Sequence, residues 1–134
     1  MVPADGYYEW RPAPEGAGSR KQPFYIYPRG REPLAMAGLF EDWHGPHGEM
    51  RTCTILTQEA VGPVADIHDR MPVEVPESWW ERWLDPDLED AQGALEDICA
   101  QSRRGVESGS HNFHPVSTRI NASVQEGADL ITPV

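Results

Sequence analysis

Lysine is nearly absent from this chain. Ten of its eleven basic residues are arginine, set against 22 Asp and Glu, for a formal charge of -11. Such an excess of acid ordinarily argues against nucleic acid as a partner, because phosphate binding needs Lys and Arg. Cysteine is scarce as well: Cys53 and Cys99 are too few and too far apart for a disulfide framework or a zinc knuckle. Both fall among apolar neighbours, which predicts two buried thiols rather than an activated nucleophile. No apolar run approaches the ~20 residues that a membrane span needs, and the first residues lack the basic-then-apolar layout of a signal peptide. The expectation is a soluble, intracellular protein of the cytoplasm. Catalytic signatures are missing too: there is no G-x-S-x-G, P-loop, G-x-G-x-x-G or H-E-x-x-H.

The composition that remains is that of a folded domain. The 134 residues are 39% hydrophobic, with five Trp, while thirteen Pro and twelve Gly imply many turns. The acid is unevenly spread. Residues 76–101 hold eight acids against Arg82 alone, a net of -7, which leaves -4 on the other 108 residues. Arg20 with Lys21, Arg29 with Arg31, Arg70 and Arg119 therefore lie in a less acidic part of the chain, and Arg suits phosphate or carboxylate recognition. A polyanionic partner stays compatible with the sequence.

Along the chain, Tyr7 to Trp10 is an aromatic, strand-like run with no leader to supply a neighbouring strand. Residues 11–20 form a Pro/Gly loop, predicted as the turn of a hairpin whose second arm is Pro23 to Tyr27. Pro28 to Arg31 makes a tight turn into a third strand, Leu34 to Phe40, and residues 43–49 are predicted as a loop before a fourth strand, Arg51 to Thr57. A short helix over residues 59–66 follows, interrupted at Gly62-Pro63. From Pro76 the spacing turns helical: Trp79, Trp80, Trp83 and Leu84 mark one helix, and Leu88, Ala91, Leu95 and Ile98 mark a second, ending near Gln101. Residues 102–110 are predicted as a polar loop, Phe113 to Val116 as extended, and Leu130 to Val134 as a tail that docks as a strand.

The stretch Asp66-Ile67-His68-Asp69-Arg70-Met71-Pro72 concentrates the chemistry. Pro72 biases Met71 toward an extended conformation, so His68 sits at a change of direction, flanked by carboxylates that can set its tautomer. That composition suits a general acid/base, and it also suits an ordinary polar turn. Glu9 shares a strand face with Tyr7 while Tyr8 and Trp10 share the other. It is either a half-exposed strand residue or an acid set among aromatics, and His68 is its natural partner across a cleft. A Ser117, His68, Asp66 triad stays open, although nothing places Ser117 on a strained elbow. The pairs His44/His47 and His111/His114 invite zinc, but neither has a Cys or acid at short range to complete a ligand set, so no metal is assigned.

The segments Ala4-Asp5-Gly6-Tyr7-Tyr8-Glu9-Trp10, Lys21 to Ile26, Ile55-Leu56-Thr57, Asp66 to Pro72, His114-Pro115-Val116-Ser117 and Leu130 to Val134 occur in that order. Together they resemble the SOS response-associated peptidase family, the abasic-site processing proteins. The resemblance implies an α+β fold: a β-rich pseudo-barrel of mostly antiparallel strands with peripheral helices. It implies single-stranded DNA with abasic sites as partner, and no cofactor. In the family a Cys after the initiator Met, exposed by autocatalytic removal of that Met, forms a Schiff base through its α-amine, and its thiol then closes a thiazolidine crosslink. Glu9 and His68 match the family's acid/base residues, and Arg70 and Thr57 are candidates for contacts to DNA or the site walls.

The resemblance also implies a departure. Residues 1–134 correspond to a partial domain beginning in the middle of a family member, and residue 2 is Val. The nucleophilic Cys, an upstream Asn and Arg, and several strands are expected to be missing, which would leave unpaired edges and exposed aromatics. The chain alone is then expected not to crosslink. A second reading is a noncatalytic remnant that binds single-stranded DNA or a protein through its aromatic and arginine surface; an ordinary hydrolase built on His68 is a third.

Overall fold

The computed structural model describes residues 1–13, 20–30 and 32–134. Among these residues nine strands pair into four antiparallel sheets. The largest holds β2 (Tyr7–Arg11), β3 (Gln22–Pro28) and β9 (His111–Pro115) in the order β2-β3-β9. Tyr7 faces Ile26, Glu9 faces Phe24, and Ile26 faces Phe113, so these side chains share the inner side of the sheet. Tyr8, Tyr25, Tyr27 and His114 make up the outer side, where the Tyr25 and Tyr27 rings stack at 5.4 Å. The expected hairpin arms thus pair as predicted; of the turn between them, residues 14–19 lie outside the described residues, as does Arg31 of the next turn.

Three smaller ladders complete the strand set: β1 (Val2–Ala4) with β4 (Leu34–Met36), β5 (Gly38–Gly45) with β6 (Gly48–Ile55), and β7 (Thr57–Glu59) with β8 (Arg70–Pro72). The first aromatic strand takes β3, its predicted hairpin arm, as its neighbour, while β1 turns away to pair with β4. The third and fourth predicted strands are each broken by one residue, at Ala37 and Leu56. A triangle of backbone bonds explains both breaks: Ala37 N–H donates to Val73, Val73 N–H to Leu56, and Leu56 N–H to Ala37, at 2.8–2.9 Å. Each break lets the backbone switch partners without leaving a buried amide unpaired. The predicted loop over residues 43–49 is instead the tip of a hairpin, closed by Pro46-His47 with Gly45 opposite Gly48. Gly48 takes φ +118, a conformation that only glycine adopts without strain.

Two apolar clusters lie beneath these ladders. Phe24, Ile26, Val64, Ile67, Met71 and Val106 form one, with Tyr7 and Phe113 packed against it. Ala37, Val73, Val75 and Ile98 form the other, with Leu56, Trp79 and Trp83 at its margin. Each fully buried aliphatic side chain contributes about 1.5–3 kcal/mol. Helix α1 (Trp80–Trp83) is a single turn, and α2 (Ala91–Glu107) runs six residues past its predicted end at Gln101. Asp90 caps α2 by accepting from Gly93 N–H at 2.9 Å. Ile98, Ser102 and Val106, four apart, continue its buried face through the stretch expected to be a loop. The predicted helix over residues 59–66 is a 3-10 turn, Gly62–Asp66, opening on Pro63. The tail docks by an isolated bridge, Val116 to Pro133, after a 3-10 turn, rather than as a strand.

Strand-rich ladders with few, peripheral helices match the α+β architecture expected, but the ladders among the described residues do not join into a closed barrel. No helix among these residues is long and apolar enough to cross a membrane. Cys53 is exposed on β6 and Cys99 half-buried on α2, which corrects the expectation of two buried thiols. Burial pushes the Cys99 thiol pKa up, with Arg103 opposing.

Candidate active site

His68 is held between two anchors. Ile67 and Met71 are both 1% exposed, so the polar residues between them are forced outward over a short span. Upstream, Ile67 and His68 both donate their N–H to Val64 O, which closes the 3-10 turn. Downstream, Ala60 N–H donates to Asp69 O and Arg70 pairs with Glu59 across β7–β8. Arg11 fastens the turn to the large sheet: its Nε donates to Asp66 O at 3.0 Å, and its guanidinium lies 4.4 Å from the centre of the Phe24 ring.

Glu9 stands beside Arg11 on the inner face of β2, and its Oε2 lies 3.9 Å from His68 Nε2. That separation is too long for a direct hydrogen bond, but one oxygen atom lying to the side could bond both. The other ring edge is fixed by the backbone. Arg70 N–H points at Nδ1 from 3.0 Å, which calls for a lone pair there and puts the proton of a neutral ring on Nε2, toward Glu9. Two acceptors, Asp69 Oδ1 at 3.1 Å and Arg70 O at 3.3 Å, are ready for an Nδ1 proton when the ring is charged. The ring therefore has a partner on that edge in either protonation state, as an acid/base group needs. Both side chains stay reachable, His68 at 35% and Glu9 at 23% exposure.

Arg70 and Thr57 are brought together, but chiefly with each other. The Arg70 guanidinium donates to Thr57 O at 2.6 Å and to Thr57 Oγ1 at 2.8 Å, so Thr57 sets where the exposed cation points. Ser117 is not recruited to His68. Its Oγ caps a 3-10 turn by accepting from Arg119 N–H, while Asp66 meets Arg11 through its carbonyl. His44 pairs with Glu49 across the β5–β6 hairpin. His111 and His114 point to opposite faces of β9, and His114 Nε2 lies 2.7 Å from Ile131 O.

One pairing had no signal in the sequence. His111 is buried, with Nδ1 2.8 Å from Ser110 Oγ and Nε2 2.7 Å from Glu74 Oε1. The Nε2 contact is close but lacks hydrogen-bond geometry, so this buried ring nitrogen has no hydrogen-bond partner among the described residues. Between this pair and the candidate site lies Tyr7, whose pKa is pushed well above the ordinary value by burial first and by Glu74 and Glu9 in addition. Tyr7 is therefore a neutral wall behind Glu9.

A sheet-borne carboxylate, Glu9, thus faces a turn-borne imidazole, His68, on a scaffold of antiparallel strands. Residues 1–123 match the family model SOS response associated peptidase (SRAP), and the chain belongs to that family. It is similar to the abasic site processing protein YedK of Escherichia coli (strain K12), 30% identical over 131 residues, which covers 98% of this chain and 55% of that one. The abasic site processing protein HMCES of Gallus gallus is 33% identical over 155 residues, covering 100% of this chain and 43% of its own length. A solved protein from Bacteroides thetaiotaomicron shares the fold with TM-score 0.76 at 24% identity, over 99% of this chain and 55% of that one. A phage-related protein from Bordetella bronchiseptica gives TM-score 0.63 at 34% identity, over 87% and 52%. The chain thus spans about half the length of the relatives it matches.

Proposed function

We propose that these 134 residues carry the acid/base part of an abasic-site processing protein acting on single-stranded DNA in the DNA damage response, with Glu9 and His68 as its proton-transfer groups. The observation that carries this is the Glu9–His68 approach across a solvent-reachable gap, with His68 Nδ1 held by Arg70 N–H. An abasic sugar opens to an aldehyde, and an amine that condenses with it must lose water from a carbinolamine. In this reading His68 Nε2–H protonates the departing hydroxyl, and Glu9 takes the proton that the nitrogen releases. Arg70, aimed by Thr57, supplies a cation for the adjacent phosphate.

In this reading the thiol that would add to the imine and close a thiazolidine is not provided by these residues. Residue 2 is Val, and the two cysteines lie on the β5–β6 hairpin and on α2. These residues by themselves are then expected to form no stable crosslink. The test is incubation with single-stranded DNA bearing one abasic site, followed by denaturing electrophoresis with and without borohydride. The expected result is no heat-stable shifted band without reductant. A heat-stable band without reductant would show that a thiol among these residues closes the ring and would overturn this reading.

A further inference from the structure

The serine–histidine–acid arrangement that Ser117 does not make with His68 is present elsewhere in the chain. Ser110 leaves α2 through Gly109, whose φ of +82 is a conformation that favours glycine, and the turn sets Ser110 at the surface. Its backbone is tied down on both sides: Ser110 N–H donates to Gly105 O at 3.1 Å, and Ser110 O accepts from Arg29 N–H at 2.8 Å. Among the described residues its hydroxyl has one partner, His111 Nδ1 at 2.8 Å.

The His111 side chain is 4% exposed, and its Nε2 lies 2.7 Å from Glu74 Oε1. The carboxylate favours a proton on Nε2, which leaves the lone pair of the neutral ring on Nδ1, toward Ser110. A proton taken from Ser110 then makes an imidazolium beside the Glu74 charge. Both ends of this relay reach a cavity of about 1050 Å³, since Ser110 and Glu74 line it. Leu34, Val75, Pro76 and Trp80 give it apolar walls, and the Trp80 indole is fixed by its Nε1–H on Val75 O at 2.9 Å. The one basic side chain of that lining among the described residues is Arg104.

We propose that Ser110, His111 and Glu74 form a second, nucleophilic site that takes small carboxylic esters with an apolar acyl group. Ser110 is the nucleophile, His111 the general base, and Glu74 a positioning residue that acts through His111. Ser110 Oγ adds to the ester carbonyl as its proton passes to His111 Nδ1, and Arg104 offsets the charge that develops on the carbonyl oxygen. The bond to the alcohol oxygen breaks, and His111 returns the proton to that oxygen, which leaves acyl-Ser110 and a free alcohol. Water then adds to the acyl group with its proton going to Nδ1, the acyl–Oγ bond breaks, and the proton returns to Ser110 as the carboxylic acid departs. This inference does not rest on the abasic-site reading, so its test contains no DNA.

The test treats the chain with an alkyl fluorophosphonate, locates the adduct by peptide mass spectrometry, and follows hydrolysis of p-nitrophenyl butyrate in parallel. The expected result is an adduct on Ser110 and none on Ser108, whose hydroxyl donates to Gly105 O instead. Ser110→Ala removes only an exposed hydroxyl and keeps the fold, as circular dichroism checks; it should abolish the adduct and reduce ester turnover to that of free imidazole at equal concentration. Ser108→Ala should leave both unchanged. Glu74→Gln should slow labelling at least about tenfold, and Glu74→Asp, which keeps the charge, should recover most of the rate. No adduct on Ser110, an adduct that forms equally on Ser108, ester turnover that survives Ser110→Ala, or equal rates for Glu74→Gln and Glu74→Asp would each overturn the proposal.

Discussion

His68 Nε2 and Glu9 Oε2 approach to 3.9 Å although one is carried by a turn and the other by a strand of a different ladder. Arg11 is the tie that makes this possible, since it shares the strand face of Glu9 and bonds the carbonyl two residues before His68. Because both groups of the pair are partly exposed, its Coulombic contribution to stability is small, about 0–1 kcal/mol. Glu9→Gln and His68→Ala should therefore leave the urea midpoint nearly unchanged. A loss of several kcal/mol in either variant would make the pair a structural one.

Arg11→Ala removes a cation over Phe24 and the bond to Asp66 O. We expect a loss of roughly 1–2 kcal/mol in urea unfolding. Increased amide exchange should be confined to residues 62–70. Exchange unchanged there would show that the turn keeps its place without Arg11.

Ser102 is buried beneath β7 and β8, with its Oγ accepting from Gln58 Nε2 at 3.0 Å and from Glu74 N–H at 3.1 Å. Ser102→Ala strands both donors, at a cost of about 1–3 kcal/mol each before relaxation. Ser102→Thr, which keeps the oxygen, should lose less. Thermal unfolding of the two variants separates the hydroxyl from the packing.

Tyr7 supplies a pH dependence whose sign is fixed. Its folded pKa lies above the unfolded value near 10, so its contribution is whole below pH 10 and is lost as pH rises toward the folded pKa, because the unfolded chain ionises first. Tyr7→Phe should move the alkaline unfolding midpoint upward, as followed by circular dichroism from pH 9 to pH 12. No movement would mean that Tyr7 is not the group resisting ionisation.

Much of the site was legible in sequence because its logic is local. Pro72, which biases Met71 toward an extended conformation, announces the change of direction at His68, and alternation along Tyr7 to Trp10 puts Glu9 on a definite face. The β5–β6 hairpin was hidden because Gly45-Pro46 and His47-Gly48 signal a loop, while the strands flanking it are held by cross-strand pairs such as Asp42 with Arg51, which no period reveals. The last turns of α2 were missed because residues 102–107 look polar; Val106, eight residues after Ile98, was the available signal. The His111–Glu74 contact joins β9 to the strand-like segment after β8, and nothing local in either segment points to the other.

The most direct measurement is the long-range nitrogen–proton NMR spectrum of the five histidine rings as single-stranded DNA is added, once with an abasic site and once intact. The abasic strand should selectively shift the His68 ring, most at Nε2, and Glu9→Gln should diminish that shift. Equal responses to both strands, or a His68 ring that does not respond while others do, would contradict the assignment of Glu9 and His68 as the groups that meet the abasic sugar.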